Sequence, residues 1–270
     1  MAIPKFGRLT NPKENILKEI GTTAKLGFDF VEIGIEGPEG DPEVLLKNKS
    51  SILKAVRDNG LFAIAHTSWW FDLGSTYPSV RRGWVEEGKR TIRIANELEI
   101  DLINFHAHSM GMFMTIPSAK KQILDNFVSS MRELVDYGST IGVKVMLENM
   151  PEKREICELP DMKYIMDRVK NLGFHLDIGH AYINGGLKAV LDYISVFRPK
   201  LWHVHMHDNH GQKDEHLPLG SIEKGIEYGK IVSALKKMGY DKTITLEVFA
   251  KDLDYAEYSM NKLKKLWKGK

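Results

Sequence analysis

FHLDIGHAYINGGLKAVLDYISVFRPKLWHVHMHD, residues 174–208, places two short strand candidates, 174–181 and 201–208, around a longer amphipathic stretch. A strand, a helix-length crossover and a second strand make the unit from which parallel sheets are built. The same alternation extends in both directions. KFGRL (5–9), FVEIGI (30–35), FAIAHT (62–67), LINFHAH (102–108) and KVMLENM (144–150) precede it, and TITLEVF (243–249) follows. Helical periodicity runs from Pro12 to Leu26 through Ile16, Leu17, Ile20 and Ala24. It returns from Val80 to Leu98 through Val85, Ile92, Ile94 and Ala95. Gly27, Asn59-Gly60, Gly142, Gly173 and Gly239 stand between helix and strand, where a helix C-cap is expected.

Eight such units predict an α/β fold, a single (β/α)8 TIM barrel spanning residues 1–270 as one domain. A doubly wound sheet would call for a G-x-G-x-x-G turn, and the one glycine pair, Gly185-Gly186, follows a different strand. The longest loops, 68–79 and 209–226, would lie over the C-terminal mouth, where barrel active sites form.

Composition narrows the function classes. The formal charge is +2, from 38 basic and 36 acidic side chains, so any nucleic-acid surface would have to be local. The single Cys157 excludes an intrachain disulfide and a thiolate metal cluster, and points to a reducing, cytoplasmic home. No run approaches the ~20 apolar residues of a membrane span, and no membrane partner is expected. Nothing marks an obligate protein partner.

Nine candidate metal ligands fall at or near the strand ends: His66, His106, Glu148, Asp177, His180, His205, Asp214, His216 and Glu247. A charge inside an apolar strand is costly unless paired or metal-bound. Three carboxylates, Glu148, Asp177 and Glu247, share that predicament, and a divalent cation with His205 as fourth ligand relieves it. Such a set suits Mn, Mg, Co or Zn. A lone histidine is more often a hydrogen-bonded core residue than a ligand, but nine donors at strand ends are not explained that way. The surplus donors predict two or three metals with Glu148 as a bridge, an arrangement typical of phosphoester hydrolysis. His203, His205 and His207 alternate onto one face of a strand. His205 is preferred as the ligand; His207 is a rival ligand or a substrate contact. His108, His175 and His210 are expected at the rim or wall without a ligand role.

The motifs AHTSWW (65–70), INFHAH (103–108), MLENM (146–150), HLDIGHA (175–181), HVHMHD (203–208), DEHLPLG (214–220) and LEVF (246–249) together resemble the xylose isomerase-like TIM-barrel superfamily, which includes endonuclease IV and sugar isomerases and epimerases. The resemblance implies a shared mononuclear core of Glu148, Asp177, His205 and Glu247. By similarity to endonuclease IV it implies three zinc ions: one on His66, His106 and Glu148, a second on the core, and a third on His180, Asp214 and His216. Trp69 falls where endonuclease IV inserts an aromatic into DNA. Departures lie in the DNA-gripping parts: the G-x-H-x-S start is missing, and NMPEKREICELP (149–160) replaces a Gly-rich stretch. The form DNHGQKDEHLPLG (208–220) also resembles members called sugar phosphate isomerases.

Two enzyme functions follow as expectations. The first is a zinc-dependent phosphodiester hydrolase of DNA repair, cleaving at abasic sites. Arg81, Arg82, Lys153, Arg154 and Lys213 would meet phosphates, and Trp69 and Trp70 would form a stacking wedge. The alternative is a sugar or sugar-phosphate isomerase or epimerase with one Mn or Mg, in which Glu148 and Glu247 are the catalytic pair and Trp69, Trp70 and His207 contact substrate.

Overall fold

The computed structural model describes residues 3–109, 111–152 and 155–269. Eight parallel strands close into a barrel in sequence order: β1 (Lys5–Leu9), β2 (Phe30–Ile35), β3 (Phe62–Thr67), β4 (Leu102–His106), β5 (Lys144–Glu148), β6 (Gly173–Asp177), β7 (Leu201–Met206) and β8 (Thr243–Leu246). The fold is the (β/α)8 TIM barrel. Helices α1 (Ile16–Lys25), α4 (Pro78–Glu97), α5 (Pro117–Thr140), α6 (Leu159–Arg168), α7 (Ile178–Phe197), α8 (Tyr228–Met238) and α9 (Asp254–Lys268) form the outer ring, with α2 (Pro42–Lys47) and α3 (Lys49–Asp58) both after β2.

Local chemistry sets the boundaries. α1 starts at Ile16 rather than Pro12, because the Asn15 side chain caps it by accepting from the amides of Leu17 and Lys18. Strands β4 to β8 stop two to four residues before their expected ends. In β6 the cause is a cap: Asp177 accepts from the amide of His180, so His180 already belongs to the first turn of α7. Gly27, Gly60, Gly142 and Gly239 take the positive φ of helix ends, as expected. Gly173 does not. It opens β6, where an added Cβ would lie 2.0 Å from the Trp202 ring, and the positive φ falls on Asn171 instead.

Apolar burial is split in two. The larger cluster fills the layer between strands and helices. A smaller one, Phe30, Ile64 and Met146 with Leu102 and Trp202 against it, plugs the barrel interior. Beyond this plug the interior becomes polar. Glu32, Asn104, His175, His203, His205 and Thr245 are all fully buried. Such groups must find partners, and the register supplies them: His106 pairs with Glu148, Asp177 with His205, and His205 with Thr245 on neighbouring strands.

Candidate metal centre

His205 Nδ1 is the focus of the mouth. It lies 3.1 Å from Glu247 Oε2, 3.8 Å from Glu148 Oε1 and 3.8 Å from Asp177 Oδ2. Donors bound to one cation at bonds of ~2.0–2.2 Å stand roughly 3–3.6 Å apart, so each carboxylate oxygen stands from His205 Nδ1 at close to the spacing that a shared ion would impose. Asp177 Oδ2 is buried without a hydrogen-bond partner, a debt that a cation would discharge. The other oxygen of Asp177 is taken by the His180 amide at 2.6 Å, so the helix cap turns Oδ2 toward the centre.

Glu148 faces two ways. Its Oε2 lies 3.2 Å from His106 Nε2 and 3.7 Å from His66 Nε2, while Oε1 faces His205 and His180. Asn104 steadies it by donating to Oε2 at 2.6 Å. A third group forms at the rim. Asp214 Oδ2 lies 3.2 Å from His180 Nε2 and 2.9 Å from His216 Nε2. The Asn149 carbonyl accepts from His180 Nδ1 at 2.7 Å, which fixes the ring proton there and leaves Nε2 as the donor to a metal. His216 sits at φ 49°, a left-handed conformation that costs on the order of 1–3 kcal/mol. The Asp208–Leu217 bridge and the Phe249 amide, which donates to His216 O, hold it there.

Several clusters of His, Asp and Glu are therefore able to hold a divalent ion: His66/His106/Glu148, Asp177/His180/His207 and His207/Asp214/His216 as well as the quartet on His205. All nine expected donors come together at one end of the barrel, and seven of them line a pocket of about 360 Å³, with Asp177 and His205 beneath it. A model of the xylose isomerase-like TIM barrel family matches residues 20–266.

The chain belongs to the xylose isomerase-like TIM barrel family. An uncharacterized protein of Methanocaldococcus jannaschii is 31% identical over 251 residues, which cover 90% of this chain and 83% of the relative. Among solved structures, a D-tagatose 3-epimerase-like protein superposes with a TM-score of 0.85 at 28% identity, covering 98% of this chain and 97% of the other. An L-ribulose 3-epimerase superposes with a TM-score of 0.82, covering 99% and 95%; at 18% identity it speaks for the fold alone.

On this family scaffold several expected residues take other places. His207 is fully buried and does not line the pocket. Its Nε2 lies 3.3 Å from both Asp177 Oδ1 and Asp214 Oδ1, so its geometry is that of a ligand or ligand support and not of a substrate contact. Gly179 makes this possible, since a Cβ there would meet the His207 ring at 2.1 Å. Trp69 lines the pocket, half-exposed and packed edge-on against His108; Trp70 does not line it. His175 is not at the rim: it is wholly buried, with Nδ1 3.2 Å from Glu148 Oε2. His108 and His210 pair with Glu155 and Glu215. Arg81 donates to the Ser75 carbonyl and Arg82 pairs with Glu133, and neither they nor Lys213 line the pocket. Lys153 and Arg154 lie outside the described residues. Glu36, Glu152 and Glu155 add acid to the pocket wall, and Phe249, packed on His216, adds an apolar face that sequence reasoning had not assigned.

Also missed was Glu32, inside β2 and fully buried, which accepts from His203 Nε2 and His205 Nε2 at 3.1 and 3.0 Å. The signal was present: FVEIGI places a carboxylate inside an apolar strand, and the desolvation argument applied to Glu148 applies equally there.

Electrostatics in the metal-free protein follow from this crowding. Burial pushes the Glu148 carboxyl up, but His175, His106 and His205 outweigh it and hold the group well below its usual range. Burial likewise raises Glu247, and His216 and His205 bring it down to about 2. Burial lowers His216, yet Glu247 and Asp214 raise it to about 9. His180 and His205 are also raised well above the ordinary value of 6.5, by neighbouring carboxylates that overcome burial. A metal must displace these protons. His216 stabilises the metal-free protein fully below pH 6.5, and that contribution is lost as pH rises through about 9. Metal binding runs the other way. Zn2+ affinity should therefore climb from pH 6.5 to 9, with proton release visible by calorimetry in buffers of different ionisation heat. An affinity flat across that window would contradict this assignment of His216.

Proposed function

We propose that the protein is a metal-dependent sugar epimerase or isomerase whose ion is held by Glu148, Asp177, His205 and Glu247. The observation that carries this reading is the convergence of three carboxylates on His205 Nδ1 beneath a pocket of about 360 Å³. A pocket of that size is at the small-ligand end of enzyme sites. The fold likeness to a D-tagatose 3-epimerase-like protein and an L-ribulose 3-epimerase supports it.

A divalent ion in this donor set would polarise the carbonyl and adjacent hydroxyl of a ketose. The remaining chemistry belongs to side chains. Glu148 and Glu247 are ionised at neutral pH and both line the pocket. One takes the proton from the carbon beside the carbonyl, and the electron pair of that C–H bond passes into an enediolate. The other, having taken up a proton from water as substrate binds, returns it as the carboxylic acid to the opposite face of the same carbon for epimerisation or to the neighbouring carbon for isomerisation. Trp69 and Phe249 shield the site with apolar faces, and the histidines of the floor offer hydrogen bonds to hydroxyls.

A second reading, hydrolysis at abasic sites in DNA with up to three zinc ions, draws support from Glu148, whose two oxygens face different donor groups. The wall weakens it: Glu36, Glu152 and Glu155 would repel a phosphate backbone, and Arg81 and Arg82 are engaged elsewhere. The deciding assay incubates the protein with Mn2+, Mg2+, Co2+ or Zn2+ in D2O with ketoses and their phosphates. Interconversion with one deuterium gained at the reacting carbon is expected. No interconversion, together with incision of abasic duplex, would hand the site to the hydrolase.

A further inference from the structure

Glu32 lies mid-strand in β2, two residues before Gly34, the register partner of His66, with no exposed surface. A carboxylate in such a place needs hydrogen-bond donors, and one oxygen receives all of them. Glu32 Oε2 accepts from His205 Nε2 at 3.0 Å, from His203 Nε2 at 3.1 Å and from the Thr245 hydroxyl. His203 is steadied from its other side, its Nδ1 lying 2.7 Å from Thr243 Oγ1. Two strands, β7 and β8, thus aim three donors at a single point under the candidate metal centre.

The His205 ring spans two carboxylate environments. Nε2 points down to Glu32, and Nδ1 points up to Glu247, Glu148 and Asp177. An ionised carboxylate can only accept, so the nitrogen facing Glu32 carries the ring proton. When the ring is neutral, Nδ1 is then the nitrogen with the free lone pair. The contact also helps set the angle of the ring, against which His175 and His203 pack at centroid distances of 4.0 and 5.2 Å.

We propose that Glu32 is a positioning residue for the metal centre. It holds His205 as the Nε2–H form with Nδ1 presented to the ion, and its charge strengthens that nitrogen as a ligand. The inference rests on the reading above only in that a metal binds His205; it does not depend on which sugar reacts. Glu32 does not line the pocket, and its Oε2 is the oxygen taken by the two histidines and Thr245.

The test is Zn2+ binding and ring protonation, measured without turnover. In Zn2+-loaded wild-type protein, two-bond 1H–15N correlations should show the His205 proton on Nε2 and metal on Nδ1. Glu32→Gln keeps the shape and one acceptor but removes the charge, and calorimetry should show Zn2+ affinity lowered roughly 10–100-fold. Unfolding of the metal-free variant is followed alongside, because a purely structural glutamate would change stability and leave affinity alone. Coordination of wild-type His205 through Nε2 overturns the proposal even if the variant does not fold. So does a folded Glu32→Gln protein that binds Zn2+ as tightly as its parent. Wild-type protein that takes up no divalent ion sinks the metal reading and this role together.

Discussion

Glu247→Gln and Glu148→Gln should each lower epimerisation by roughly 10²–10⁴-fold, the usual worth of a general acid or base. Glutamine keeps the volume and one acceptor oxygen but cannot exchange a proton. The two variants should differ in informative ways. Glu247 approaches His205 Nδ1, the nitrogen proposed to bind the ion, and also lies 3.5 Å from His216 Nδ1. Both are ligands of the proposed ion, so either loss should weaken metal binding as well as turnover, and loss of Glu148, which stands between two donor groups, should be felt at both. If the carboxylates act as a base–acid pair, each single variant retains one of them. The retained group should still exchange the reactive hydrogen of one epimer with D2O while interconversion fails. The readout is deuterium incorporation in each epimer, taken separately. A variant that interconverts epimers within threefold of wild type would remove that residue from the mechanism.

His205→Ala should abolish high-affinity metal binding and destabilise the metal-free fold. The imidazole is fully buried among Glu32, Glu247, Glu148 and Asp177, and burial of its positive form is offset by those carboxylates. Without it, carboxylates face one another across a cavity. Breaking a buried charge pair by removing one partner costs about 3–5 kcal/mol, a melting shift on the order of 10 °C for a chain this long. Wild-type protein stripped by a chelator should be inactive and regain activity with a divalent ion. At ~100 times the dissociation constant, that ion should add about 2.7 kcal/mol of stability. His205→Ala should show no such gain. A metal-dependent melting shift in His205→Ala equal to that of wild type would place the ion elsewhere, on the rim group of His180, Asp214 and His216.

Much of the architecture was legible because barrel strands carry two independent signals. The apolar runs marked eight strands, and their starts agree with the structure to within a residue. Their ends did not, because side-chain type continues past the point where backbone pairing stops. HLDIGHA reads as unbroken strand, yet Asp177 caps a helix and moves His180 out of the sheet. The nine donors were visible because each breaks an apolar or loop pattern in a way that structure alone does not require. Glu32 broke the same pattern, but it lay mid-strand, where a metal ligand at the mouth was not being sought. The orientation of His207 and the burial of His175 were beyond reach, since neighbours on other strands decide which way each ring turns.

By itself, then, the sequence determined the barrel and named the candidate donors, because period and desolvation are properties of short segments. Only the tertiary structure decided which donors stand close enough to share an ion, which nitrogen of His205 faces Glu32, and which cations are already engaged. Those are questions of distance between strands. Arg82 illustrates the difference: in sequence it is a cation near the mouth, and in space it is bound to Glu133 on an outer helix. The same packing encloses a pocket of about 360 Å³ walled by acid, and the proposal of a sugar in place of a phosphate backbone rests on it.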